Sequence, residues 1–282
     1  MLHTSPIIEW HGIRLDLSII LMLIVSCTVV FLLAFVATRR LSVESPGKLQ
    51  NFMEWVVDFV KGLISSNMDM KRGRPFLSLG LTLIMFIFVS NMLGLPFGIV
   101  TDYHDKEHAH IFGTTLVSVT EQFDKLQAQQ AVSGTTGEEI EVGVAWWKSP
   151  TADAGVSMGL AIMIFVLIHF LGITRNTRNY FKHYVQPNVA FLPINLIEQF
   201  SKVLTHGMRL FGNIFAGEVL ISVLLKMAAL GVGGYIASVA GLVAWQGFSI
   251  FVGSIQAFVF TILTFVYISQ ALESHDDHKH EH

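Results

Sequence analysis

The chain has 282 residues, of which 52% are hydrophobic and 14% charged, and its mean hydropathy is +0.57. Soluble domains carry about a quarter charged residues, so this composition puts the chain in the membrane class, and its long uncharged runs lead to the expectation of an all-α integral membrane protein. A net charge of -3 and a pI near 6.4 argue against nucleic-acid binding, and one cysteine, Cys27, rules out an intramolecular disulfide. Cys27 sits in an apolar run and is read as a small buried residue.

In chain order, residues 1–16 open with His3, Thr4, Glu9, His11 and Arg14. They lack the basic start and small-residue cleavage site of a signal peptide, so they are read as an outer N-terminal segment. Residues 17–38 are 22 uncharged positions and form the first expected span. In 45–66, Leu49, Phe52, Met53, Val56, Val57, Val60, Leu63 and Ile64 repeat with helical spacing, opposite Lys48, Glu54, Asp58 and Lys61. Ser45-Pro46 marks the start of this helix, which is expected to lie in the membrane interface with Trp55 as an interfacial residue. Residues 76–100 form the second span and 154–174 the third. Residues 189–226 are an apolar but charged helix, and 235–272 a final helix longer than a perpendicular crossing requires. A tilted helix is the economical reading of that last segment; two short spans are the alternative. Gly231, Gly233 and Gly234 are the expected turn between these two segments, and 273–282 is a His-rich tail. The whole is taken as a single membrane domain with about five spans.

Arg39, Arg40, Lys48, Lys61, Lys71, Arg72 and Arg74 lie between spans one and two, and Arg175, Arg178 and Lys182 follow span three. The polar loop 101–153 has only Lys106, Lys125 and Lys148 against nine acids. The bias places the N-terminus and that loop outside and the C-terminus in the cytoplasm. The loop is rich in Gln, Gly and Thr near 127–137 and is expected to be partly mobile.

A charge within a span costs about 2.5–3.5 kcal/mol and is by default a functional candidate. Residues 189–225 hold Glu198, Lys202, His206, Arg209 and Glu218. At about 100° per residue, Glu198 and Lys202 each lie within about 20° of Arg209, Asn213 about 40° round, and Glu218 about 180° away. One central guanidinium flanked axially by two carboxylates suits a protein that leads protons to and from one point by separate routes. Glu198 and Lys202 also have the spacing of an ordinary i,i+4 ion pair. Arg209 has no acid at i±3 or i±4, so a partner must come from elsewhere.

The string Met208-Arg209-Leu210-Phe211-Gly212-Asn213-Ile214-Phe215-Ala216-Gly217-Glu218 resembles the signature helix of the a subunit of F-type ATP synthases. Ser149-Pro150-Thr151-Ala152-Asp153, Leu192-Pro193-Ile194-Asn195 and Ile255-Gln256-Ala257-Phe258 support the resemblance in family order. It implies a proton-translocating stator subunit of a bacterial cell membrane, its last two helices forming a long tilted hairpin against the c ring. By the same resemblance, Arg209 is the essential arginine facing the ring, Asn213 and Gln256 line that interface, Glu218 belongs to the outer half-channel, and Glu198 sits toward the cytoplasmic exit. His206, Lys202 and Ser249 are candidate half-channel lining. Ser249 stands where some relatives carry a histidine. The implied partners are the c-subunit ring, the b subunits of the peripheral stalk, the remaining synthase subunits and membrane lipid. No cofactor, metal or catalytic site of its own is implied.

Two other classes compete. Gly155-Val156-Ser157-Met158-Gly159 matches the nucleophile-elbow string, with His169 further along, and would suit an intramembrane serine hydrolase. Gly155 and Gly159 equally fit a small-residue helix-packing face. A free-standing secondary transporter would show two related halves, whereas the charged helix occurs once. His104, His108 and His110, and His275, His278, His280 and His282, are read as solvated loop and tail rather than metal ligands.

Overall fold

The computed structural model describes residues 4–94, 99–106, 109–111, 114–133, 140–175 and 192–272. Arg178, Lys182, His108 and the tail 273–282 lie outside the described residues.

Helices dominate because the apolar runs must satisfy their backbone groups internally, and only a helix does so within one segment. The helices are α1 (Leu17–Thr38), α2 (Lys48–Ser65), the short α3 (Met70–Gly73), α4 (Leu77–Leu93), α5 (Val117–Ser133), α6 (Ala154–Arg175), α7 (Leu192–Ala228) and α8 (Val232–Leu272). Among the described residues, five stretches are long and apolar enough to cross a membrane: Leu17–Thr38, Met70–Leu93, Ala154–Arg175, Leu192–Ala228 and Val232–Leu272. α4 stops at Leu93, short of the expected residue 100, where Gly94 and Pro96 interrupt the sequence and the position before a proline disfavours helix. α8 is one unbroken helix of 41 residues, which decides against two short spans. At about 1.5 Å per residue it is about 60 Å long, twice the hydrocarbon thickness of about 30 Å.

The chain divides into two compact units. The first comprises Met1–Cys27, Ser90–Pro150 and Gly217–Ile250. Here β1 (Ile7–Trp10) and β2 (Ile13–Asp16) pair antiparallel, with Ile7 opposite Asp16 and Trp10 opposite Ile13. The two-residue turn places His11 and Gly12 at φ 51° and 81°, the left-handed pair that hairpins of this length require. β3 (Val100–Tyr103) pairs antiparallel with β6 (Val142–Ala145), and β4 (His110–Ile111) with β5 (Thr114–Thr115). Leu116, Val119 and Phe123, at the start and along one face of α5, meet Ala109, Val142 and Val144 in a small core. The polar loop therefore contains a packed core of its own. Bridges Thr4–Val144 and Ile8–Leu116 tie the N-terminal strands to it. In the same unit the end of α7 packs on the start of α8 after a turn at Gly231, whose φ is 97°. A Cβ on Gly217 would lie 3.1 Å from the Trp245 ring, and one on Gly241 2.8 Å from Leu224, so both glycines permit close helix approach.

The second unit comprises Thr28–Val89, Thr151–Ala216 and Phe251–His282. Val60, Leu63 and Ile64 of α2 are buried with Phe76, Leu171, Phe265 and Ile268. Leu83, Ile87, Ile164, Leu210, Ala257 and Phe260 form a second cluster joining α4, α6, α7 and α8. Gly80 accommodates the Phe265 ring and Val60, where a side chain would collide. Within α2 the buried stripe is Met53, Val56, Val60, Leu63 and Ile64, all on the expected apolar face, with Gln50 added at its edge. Gln50 is buried, its amide donating to the Ser42 carbonyl at 2.9 Å and to Glu54 at 2.8 Å. Phe52 and Trp55 are exposed, and Trp55 stacks on Phe59. Cys27, expected to be buried, is exposed on α1. Ile20, Ile24 and Phe31 of that helix are exposed as well, which suits a span whose outer surface meets hydrocarbon rather than water.

Candidate functional site

α7 begins at Leu192-Pro193, where proline's fixed φ suits the first turn and its missing N–H is not needed. It carries every charged candidate on one continuous helix. In the second unit, Lys202 Nζ lies 2.9 Å from Glu198 Oε1, the i,i+4 pair that its spacing allows. The Glu198 side chain is 59% exposed and that of Lys202 26%. Lys202 Nζ also sits 5.9 Å from the centre of the Tyr267 ring.

One turn on, His206 is buried. Its ring lies against Phe260, centroids 3.8 Å apart, and meets Tyr267 edge-on at 6.0 Å. Neither ring nitrogen has a hydrogen-bond partner among the described residues. A side chain on Gly207 would run into Met158, so glycine lets α6 approach α7 closely here.

Arg209 is exposed, and among the described residues it forms no ion pair. Its flank Leu210 is 1% exposed in the apolar cluster with Ala257 and Phe260, which anchors this turn of α7. The expected neighbour Gln256 is buried, and its amide Nε2 donates to the Arg209 backbone carbonyl. Gln256 thus holds the main chain of the arginine turn. Asn213 is half-buried one turn further along.

Glu218 belongs to the first unit and is exposed; among the described residues it has no ion pair. Ser249 is half-buried, and no hydrogen bond joins the two. A cluster that sequence reasoning missed stands in the same unit. Lys148 Nζ donates to Asp16 Oδ2 at 2.8 Å and to Ser5 Oγ at 2.6 Å. Asp16 Oδ1 in turn accepts from the Ser18 amide at 2.9 Å and hydroxyl at 2.6 Å, capping α1. Burial pushes the Asp16 carboxyl up. The hydrogen bonds from Lys148, Ser18 and Ser5, with the Lys148 charge, outweigh it and hold the group below its ordinary value. Lys148 is also within electrostatic reach of Glu218. An acid immediately before the first apolar run was the available signal for the cap.

The G-x-S-x-G string lies inside α6, where Ser157 is buried and donates to the Thr151 carbonyl at 2.8 Å. That is a helix-packing position, lacking the strand-to-helix turn a nucleophile elbow needs. His104 pairs with Glu141 at 3.0 Å, and the described residues hold no group of three metal-ligating side chains.

A model of the ATP synthase A chain family matches residues 19–269. The protein "ATP synthase subunit a" of Anoxybacillus flavithermus is 45% identical over 277 residues, covering 98% of this chain and 100% of that one. The proteins of the same description from Priestia megaterium and Bacillus subtilis are 44% and 43% identical, over 96% and 98% of this chain and 98% and 100% of theirs.

Proposed function

The chain belongs to the ATP synthase A chain family of multi-pass bacterial membrane proteins, and from that premise we propose that it is the ion-translocating stator subunit of the membrane motor. Arg209 faces the ring of c subunits, with Asn213 and the Gln256 turn at the same interface. Glu218 serves an outer half-channel and Glu198 the cytoplasmic exit, with Lys202, His206 and Ser249 as lining. The N-terminus and residues 101–153 are outside and the C-terminus is cytoplasmic, following the Lys/Arg bias. The ring, the b subunits and the remaining synthase subunits are its partners, and the proton is the coupling ion.

The observation that carries this reading is the exposed guanidinium of Arg209, with no ion pair among the described residues, in a helix otherwise apolar enough to span a membrane. Left against lipid such a charge is costly, so a partner surface with complementary charge is the economical occupant. A ring carboxylate supplies it. The carboxyl is neutral while it faces lipid and ionises beside the arginine, which keeps its own proton at any working pH. The same fixed positive charge repels a proton passing directly between the half-channels.

The test is Arg209→Ala in the assembled synthase. ATP-driven pumping is expected to be lost, and vesicles stripped of the soluble ATPase part are expected to leak protons. Normal pumping by this variant would overturn the assignment. Loss of pumping with tight vesicles would remove only the barrier role.

A further inference from the structure

On α7, Glu198, Lys202, His206 and Arg209 follow at intervals of four, four and three residues, so they share one stripe of the helix. His206 is the buried member, at 4% exposure, with the Phe260 ring 3.8 Å away centre to centre. Both of its ring nitrogens are without a partner among the described residues. A buried polar atom left unpartnered costs about 1–3 kcal/mol, and in this apolar setting a phenylalanine or leucine would pack without that cost. Of the four side chains, imidazole alone exchanges a proton near neutral pH in its ordinary state. Arg209 retains its proton, and Lys202 and Glu198 are paired with each other.

We infer that His206 is a proton-carrying residue between the Arg209 turn and the Lys202–Glu198 end of α7, an inference that rests on the function proposed above. His206 lies about 4.5 Å along the axis from Arg209 and about 12 Å from Glu198. One ring nitrogen of the neutral imidazole takes a proton from a ring-subunit carboxylic acid or from water, giving imidazolium. The other nitrogen then releases a proton to water on the Glu198 side. Only N–H and O–H bonds form and break, and no electrons are transferred.

Among the described residues, the groups that could shape its titration are few. α7 brings Lys202, Arg209 and Glu198; α8 brings Tyr267. α6 carries only His169, bonded to the Phe165 carbonyl at 3.0 Å, and Arg175 at its end. α4 has no ionisable side chain.

The experiment uses intact synthase in vesicles carrying His206→Phe, His206→Gln or Arg209→Ala. ATP synthesis is measured at constant driving force while the pH on the Glu198 side is varied from about 6 to about 9, either side of the imidazole range. Both His206 variants are expected to lose about tenfold or more in rate and to flatten the pH profile, with passive proton permeability unchanged. Wild-type rate and profile in either variant overturns the inference. Activity in His206→Gln alone assigns the residue a hydrogen-bonding role, and activity in His206→Phe alone a packing role. If Arg209→Ala still couples, the underlying function falls. If Arg209→Ala uncouples while a His206 variant behaves as wild type, only the present inference falls. Should His206→Phe fail to assemble, the amide variant decides.

Discussion

The two units differ in which charges go unpaired: the second joins Lys202 to Glu198 and Lys61 to Asp58, but leaves the Arg209 guanidinium without an ion pair among the described residues. In the first unit, charges meet charges: Lys148 with Asp16, Arg14 with Glu121, Lys106 with Asp124 and His104 with Glu141. The interior there is small and its side chains are pinned by these bonds and by the Ser118 hydroxyl, which donates to the Ser5 carbonyl at 2.5 Å and accepts the Ile7 amide at 3.1 Å. In the second unit the core is larger and apolar, yet Arg209 has no ion pair and the His206 nitrogens no hydrogen bond among the described residues. A paired charge is explained by the folded chain itself. An unpaired one placed at a cost of kilocalories is explained only by something the chain works on. Glu218 tests that division, because it shares a unit with the paired charges but has no ion pair of its own among the described residues.

The largest expected effect that sharpens the contrast is at Glu218. Glu218→Gln should reduce ATP-driven proton pumping by about a hundredfold while leaving the assembled complex intact on native gels, and Glu218→Asp should retain part of the rate. Wild-type pumping by the amide would move Glu218 to the structural side.

A smaller effect belongs to the Lys148–Asp16 pair, whose side chains are 19% and 15% exposed. Lys148→Met leaves a mostly buried carboxylate unpaired and should cost about 2–3 kcal/mol, read as a lower unfolding temperature of the detergent-purified protein at neutral pH. The folded-state value of Asp16 is depressed below 3.8, so the group adds stability above that pH and loses it as pH falls through the folded value. The difference between variant and wild type should therefore shrink as the medium is acidified below about 3.8. A difference independent of acid would mean that packing, not charge, is what Lys148 contributes.

The smallest effect is expected at Arg14 and Glu121, 2.7 Å apart but 60% and 44% exposed. Arg14→Ala should cost no more than about 1 kcal/mol and less in high salt, since solvent screens an exposed pair. A larger loss would show that the hairpin depends on this contact as much as on its apolar seam.

Much of the architecture was legible because helix formation in an apolar solvent is a local matter. A run such as Leu17–Thr38 satisfies its backbone within itself, and α7 inherits its charge stripe from a repeat that depends only on residues three and four apart. The sequence by itself thus determined the five spans among the described residues, the Glu198–Lys202 pair on the stripe that also holds Arg209, and the turn at Gly231, although Gly233 and Gly234, expected in that turn, already belong to α8. What only the tertiary structure decided involves partners far apart in the chain. Gln256 reaches the Arg209 carbonyl across 47 positions, and Lys148 reaches Asp16 across 132. The burial of His206 depends on which face of α8 presents Phe260 and Tyr267. The core under the 101–153 loop is built from strands of two to four residues, too short for alternation to be read. Such contacts follow from how helices and strands pack, and packing depends on the fit of many side chains at once rather than on the spacing of a few.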